Sequence, residues 1–273
     1  MDKLTLTAKK FLELPFVDTS IALEVCDIDG STEKQVDEKL KKLYGESASA
    51  IGKTKVCMEA FPDFDKPRYN LIDAERVMER LTRPNDGCPW DRAQTHESIR
   101  INLIEEAYEA VDAIDKKDIA NMREEFGDVL LQSLLQSSLA MRAGEFDFND
   151  VCDELCKKLI SRHTFIFASD SAGNADDAIS LWEKNKAVEK HYSTLKEQLQ
   201  RLPETFPSLL YCQKIHKKTK KVAEVNPERD FDEAYKNRDY VALIAAATAL
   251  LSDEGKDAEI ELNKLMKEKI NSL

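Results

Sequence analysis

A mainly α-helical fold, preceded by a small β-α-β segment, is what this sequence predicts. Three observations carry it. From Leu71 onward, apolar residues recur at three- and four-residue spacing, the repeat of a helix face. Strand-like apolar runs are confined to the first 70 residues. Apolar residues make up 42% of the 273, enough for a core, and only 8 Gly and 8 Pro break the chain, which argues against low complexity and disorder.

In the N-terminal segment, Ile21–Val25 and Lys55–Met58 read as strands. Between them, Ser31 is placed to cap a helix with Val36, Leu40 and Leu43 on one face and Gly45 as its stop. Pro62 and Pro67, with polar residues between, mark a linker. Leu71, Ala74, Val77, Met78 and Leu81 then align on a helix that Arg83–Gly87 ends. After a Cys88-Pro89-Trp90 turn, Thr95 or Ser98 is expected to cap a helix whose buried stripe is Leu103, Ile104, Ala107, Tyr108, Val111 and Ile114. The polar run Asp115–Asp118 leads into a helix from Ile119 to about Ala143, closed by Gly144. Further helices are expected from Phe148 to Phe165, around Trp182, from Leu195 to Leu202, from Leu209 to Val222 (with five lysines) and from Phe231 onward.

With 40 Lys and Arg against 52 Asp and Glu, the net charge is −12, which argues against a nucleic-acid partner, since phosphate contacts need clustered positive charge. No apolar run approaches a membrane span, so no membrane partner is expected. The six cysteines form no disulfide-like framework, and the chain reads as reduced and cytoplasmic. Cys152 and Cys156 are one helical turn apart, but no second Cys or His pair stands at zinc spacing, so they are assigned to packing.

The chemistry concentrates between Gly87 and Asp128. Phe126, Val129, Leu130, Leu131, Leu134, Leu135 and Leu139 make the 119–143 helix apolar over most of its circumference, so it is expected to be central. Yet Glu125, Asp128, Gln132 and Gln136 run along it as a polar stripe with no basic residue. A charged pair on a buried helix must protonate or find a counter-charge, and a bound cation is the natural one. On the preceding helix Glu106 with Glu109, or Glu105 with Glu109, project together, as Glu125 and Asp128 do on the second. A short connection implies antiparallel packing, with four carboxylates around one cavity. Such oxygen ligands, without His or Cys, suit Mg²⁺ or Mn²⁺ rather than zinc.

Gly87–Asp91 (GCPWD), Gln94–Ser98 (QTHES), Leu103–Glu109 (LIEEAYE), Glu124–Asp128 (EEFGD) and Ser161–Phe167 (SRHTFIF) together resemble the MazG family, over about residues 71–222. The resemblance implies an all-α helical bundle, usually dimeric, that hydrolyses nucleoside triphosphates to the monophosphate and pyrophosphate with Mg²⁺. Carried over by position, it makes Glu106, Glu109, Glu125 and Asp128 metal ligands and Glu105 a general base or supporting group. Lys158 and Arg162 become candidates for phosphate binding, and Trp90 for stacking on a base, against a packing role for the same indole. His96 and His163 are expected to be structural hydrogen-bonding groups.

The domains expected are therefore residues 1–70, a small α/β segment that resembles the end of a fused domain; 71–202, the MazG-like pyrophosphohydrolase; and 203–273, a degenerate second copy. Laying Asp128–Gly144 on Asp239–Gly255, at an offset of 111, places Lys236 where Glu125 stands, with no EExxE before it. Residues 223–273 are expected to lack a site and to serve packing or dimerisation. The loss of a second copy keeps open an alternative, a nucleotide-binding regulatory scaffold with little or no turnover.

Overall fold

Alternating Leu and polar residues in Lys3–Thr7 form strand β1, whose residues are exposed and half-buried in turn. It was not anticipated, because a five-residue edge strand with two leucines carries little periodic signal. Thr7 caps helix α1 (Ala8–Glu13), β2 follows (Ala22–Cys26), then α2 (Glu33–Tyr44) and β3 (Val56–Met58). The sheet order is β1-β2-β3, with β1 parallel to β2 and β3 antiparallel to it, so the segment is β-α-β-α-β rather than β-α-β. Phe11, Val17, Leu23, Val25, Val36 and Leu40 are buried in one core beneath it. Ser31 does not cap α2; Thr32 precedes the helix, and the Asp29 carboxylate gathers the backbone N–H and hydroxyl groups of both Ser31 and Thr32. An acceptor carboxylate outcompetes a serine hydroxyl for orphan donors. Gly45 ends α2 at φ 88°.

The computed structural model describes residues 3–60, 64–191 and 194–273, so Pro62 lies outside the described part. The expected linker is tied down from Lys66 onward. Lys66 is buried and donates to Asp73 Oδ1 at 2.6 Å, while Asn70 and Asp73 form a capping box at the start of α3 (Leu71–Thr82). Asn70 Nδ2 also donates to the Val17 carbonyl, and Arg76 forks onto Asp18 at 3.0 and 3.2 Å. These bonds hold the strand segment to α3.

Where α3 ends, the backbone folds back on itself. A Cβ on Gly87 would lie 2.3 Å from the Leu81 carbonyl oxygen and 2.5 Å from that of Arg83. Cys88 N–H donates to the Leu81 carbonyl at 2.7 Å, which sets up the short α4 (Pro89–Arg92). Gly87→Ala is expected to cost about 1–3 kcal/mol, since backbone must move to admit a methyl group; chemical denaturation checks it.

Helix α5 runs Arg100–Lys116 and α6 runs Ile119–Ala143. Neither Thr95 nor Ser98 caps α5: each accepts the other's backbone N–H, and the helix begins after Ile99 without a side-chain cap. Lys117 takes the left-handed conformation (φ 55°), and Asp118 caps α6 by accepting from Ala120 and Asn121 N–H at 3.1 Å each. The two helices therefore form a tight antiparallel hairpin. Thr82 and Ser138 hydroxyls meet at 2.6 Å between α3 and α6, beside a small core of Met78, Ile99, Leu134, Leu135 and Leu139.

Two burial expectations fail within the single chain. On α5 only Ala110 and Ala113 are buried, whereas Leu103, Ile104, Ala107, Tyr108, Val111 and Ile114 are exposed. On α6 burial is concentrated from Gln132 onward, while Phe126, Leu130 and Leu131 are exposed. Val77 and Leu81 on α3 are exposed as well. Periodicity reports that a face is apolar; it does not report which chain covers it.

Residues Met1–Lys157 form one compact unit and Lys158–Leu273 a second. Helix α7 (Phe148–Arg162) crosses the boundary, stopping at His163 rather than continuing to Phe165; α8 (Thr164–Phe167) and α9 (Ala175–Glu189) follow. Next come α10 (Leu195–Gln200), α11 (Ser208–Thr219), α12 (Pro227–Asn237), α13 (Tyr240–Asp253) and α14 (Ala258–Asn271). Gln213 fastens α11 to the start of α14 by donating to the Lys256 carbonyl and accepting from Ala258 N–H.

The α12–α13 connector repeats the α5–α6 one. Arg238 is left-handed (φ 57°), Asp239 caps α13, and Asp239 N–H donates to the Ala234 carbonyl as Asp118 N–H does to Ala113. This changes the internal alignment. Gly255 follows Gly144 by 111 positions, but Asp239 follows the equivalent Asp118 by 121, and α13 at 14 residues is eleven shorter than α6 at 25. By the connector, Glu125 and Asp128 fall opposite Ala246 and Ala249, not opposite Lys236 and Asp239.

Candidate metal centre

The hairpin brings carboxylates of α5 and α6 together. One oxygen from each of Glu106, Glu109 and Glu125 lies within 4.8 Å of the others. Glu125 is buried at 8% exposure, Glu106 is half-buried and Glu109 is exposed. Burial pushes Glu106 above the ordinary carboxylate range, and the negative charges of Asp128, Glu109 and Glu105 add to the rise. Burial raises Glu125 too, followed by Glu109 and Asp128. Asp128 thus belongs to the same electrostatic group, one turn beyond Glu125. Glu105 is exposed on α5 and accepts from Asn102 Nδ2 at 3.5 Å.

The donor set fits a hard divalent cation. Three carboxylates converge, two of them raised by burial with Asp128 adding to the rise, and among the described residues no imidazole or thiol joins the group. Gln132 is 5% exposed, and its amide acts on Glu106 to lower it, against the rise from burial and the other carboxylates. It was visible in the sequence only as a member of the polar stripe, with no role attached.

The other expected site residues stand as follows. Trp90 on α4 is 58% exposed, so within this chain it is not a packing anchor. Lys158 is exposed on the second unit's part of α7. Arg162 is buried at 5% exposure, donates to both Glu189 oxygens at 2.8 and 2.9 Å, and lies over the Trp182 ring. Hydrogen bonding from Arg162 holds Glu189 down to about 2. In this arrangement the guanidinium is committed to a carboxylate rather than open to phosphate. His96 bonds through Nδ1 to Gln136, and His163 donates from Nδ1 to the Leu159 carbonyl at 2.7 Å while packing on Trp182, which fits the structural roles expected of both. Of the α11 lysines, Lys220 pairs with Asp253 at 2.6 Å and Lys218 is lowered by burial, so the basic helix is partly spent on its own unit.

An antiparallel α-hairpin that brings carboxylates together offers, as a class, the oxygen donors that a hard divalent cation takes. The particular domain follows from sequence comparison. Residues 94–167 match the MazG nucleotide pyrophosphohydrolase domain, and the chain carries a MazG domain there. It is similar to a nucleoside triphosphate pyrophosphohydrolase of Escherichia coli (strain K12), 39% identical over 142 residues that cover 52% of this chain and 54% of that protein. It is also similar to the nucleoside triphosphate pyrophosphohydrolase/pyrophosphatase MazG of Thermotoga maritima, 47% identical over 114 residues, covering 42% and 43%. A crystal structure of a mazG-related protein from Thermotoga maritima aligns with 41% of this chain and 97% of its own, at 28% identity and TM-score 0.36. The chain spans about half the length of the curated relatives it matches. Among the described residues no helix is long and apolar enough to cross a membrane, and all six cysteines are free.

Proposed function

We propose that the chain is a Mg²⁺-dependent nucleoside triphosphate pyrophosphohydrolase that clears NTPs and dNTPs to the monophosphate and pyrophosphate. The observation that carries the proposal is the convergence of Glu106, Glu109 and Glu125 within 4.8 Å, inside the matched domain. In this reading Glu106, Glu109, Glu125 and Asp128 hold the metal, and Mn²⁺ suits the same oxygen set. Bound Mg²⁺ would draw in the triphosphate and neutralise charge on its oxygens. Glu105, exposed beside the cluster and weakly held by Asn102, is the group assigned to take a proton from the attacking water. That water's oxygen bonds to the α-phosphorus as the bond to the α–β bridging oxygen breaks, and pyrophosphate leaves with that oxygen.

Lys158 and Trp90 are open to solvent and available to phosphate and base; Arg162 would have to exchange Glu189 for phosphate. The functional unit in this proposal is a homodimer, because Tyr108, Val111, Phe126 and Leu130 leave both hairpin helices with apolar side chains in water. A reducing, cytoplasmic setting, which keeps six free thiols unpaired, belongs to the same reading. Residues 71–202 are the proposed catalytic domain, 1–70 an accessory segment and 203–273 a decayed second copy, in which Ala246 and Ala249 are the sequence equivalents of Glu125 and Asp128.

The test is a panel of the standard NTPs and dNTPs with Mg²⁺ and with EDTA, followed by product analysis. Metal-dependent release of pyrophosphate with the monophosphate is expected. Orthophosphate would place the cut at a different bond. Metal-dependent nucleotide binding without turnover would instead support a regulatory scaffold.

A further inference from the structure

Gln132 stands on α6 four residues beyond Asp128 and seven beyond Glu125, on the same helical face. Its neighbours Leu134 and Leu135 are buried, and a leucine of similar volume at position 132 would pack without burying a polar group. The amide is buried nonetheless, at 5% exposure. It stands close enough to Glu106 to draw that carboxyl down, which an amide does through its nitrogen, the donor. The oxygen, Oε1, lies buried with no hydrogen-bond partner among the described residues. Glu106, the charged group the amide acts on, is a carboxylate, which accepts and does not donate when ionised. A buried amide oxygen without a partner leaves an acceptor that a donor carried in with a ligand would satisfy.

We propose that Gln132 is a positioning residue of the carboxylate centre: its nitrogen steadies Glu106, and its oxygen accepts a hydrogen bond from a water carried in on the divalent cation. The proposal rests on the reading of the cluster as a metal site, and the water is a general property of Mg²⁺ and Mn²⁺, which keep part of their hydration shell in protein sites. An amide oxygen suits this task because it accepts without adding a fifth charge to four carboxylates.

Mn²⁺ is the probe, titrated into the full-length chain by calorimetry and by its electron paramagnetic resonance signal, alongside pyrophosphate release. Gln132→Leu keeps the volume and removes both polar atoms; far-UV circular dichroism and a melting curve confirm that it folds. It is expected to weaken Mn²⁺ binding by about tenfold or more, as supporting-residue losses at metal sites do, and to lower kcat more than it raises KM for nucleotide. Gln132→Glu restores an acceptor and is expected to recover Mn²⁺ binding to within about threefold, with a steeper dependence on pH because another proton must leave.

A Gln132→Leu protein that melts differently from wild type but binds Mn²⁺ equally well overturns the proposal, since a purely structural residue behaves that way. Wild-type protein that binds no Mn²⁺ overturns both this role and the metal reading. Wild-type protein that binds Mn²⁺ but releases no pyrophosphate sinks the hydrolase reading alone, and the role of Gln132 is then decided by the binding constants.

Discussion

Glu125→Gln is expected to lower pyrophosphate release by about 10²–10³-fold while leaving the fold intact, and to raise the melting temperature of the metal-free protein. The first half follows from the ligand role, since one charged oxygen at a metal centre supplies several kcal/mol of charge stabilisation. The second follows from the crowding of the site. Glu125 is buried, and its carboxyl is raised first by that burial and then by Glu109 and Asp128, so the ionised form is a strain on the folded chain at neutral pH. An amide of the same shape removes that charge. Loss of activity together with a lower melting temperature would make Glu125 a packing residue, and retained activity would remove it from the site. Steady-state release assays and scanning calorimetry on one preparation decide between these outcomes.

The second large effect is linkage between metal and proton. Glu106 and Glu125 have folded-state values above their ordinary 4.5, so the folded chain holds these protons more tightly than the unfolded chain does. Their contribution to stability is full below the unfolded value and is lost as pH rises through the raised folded values. Metal-free protein therefore gives up stability at these two groups on going from mildly acid to neutral solution. A divalent cation binds the deprotonated form, so its stabilisation must grow over that same window. Melting curves with Mg²⁺ and with EDTA should separate widely at pH about 8 and converge towards pH about 5. Taking the difference between the two cancels groups shifted the other way, such as Glu24, held at about 2 first by Lys3, and Asp37, held at about 2 first by Lys41. A gap that does not change with pH would mean that these carboxylates are not where the cation sits.

Much of the candidate site was legible before any coordinates, because it is local. EExxE and ExxD spacings are properties of single helices, and the Asp115–Asp118 break is short enough to force antiparallel packing. The helical boundaries around Asp118, Gly144 and Gly45 were legible for the same reason: each is a cap whose chemistry sits in one or two residues. What escaped depended on partners far apart in sequence. Strand β1 is specified by its pairing to β2, not by its own two leucines. The anchoring of Lys66 on Asp73 and of Asn70 on Val17 turned an apparent linker into a fixed joint. The commitment of Arg162 to Glu189, 27 positions away, is equally invisible to a local pattern. The exposed apolar residues of α5 and α6 differ in kind: the hydrophobic repeat does mark a face of each helix, but a repeat carries no information on whether the chain's own fold covers that face.

The left-handed turn at Lys117 has a consequence for the distant carboxylates. Glu106 lies about three helical turns before it and Glu125 about two turns after Asp118, so both point back to the same side as the turn itself. The turn therefore sets the phase of two helices as a gear tooth sets a pair of wheels. One residue inserted between Lys116 and Asp118 would rotate one helix by about 100° against the other and part the acidic groups, although every carboxylate would still be present in the sequence.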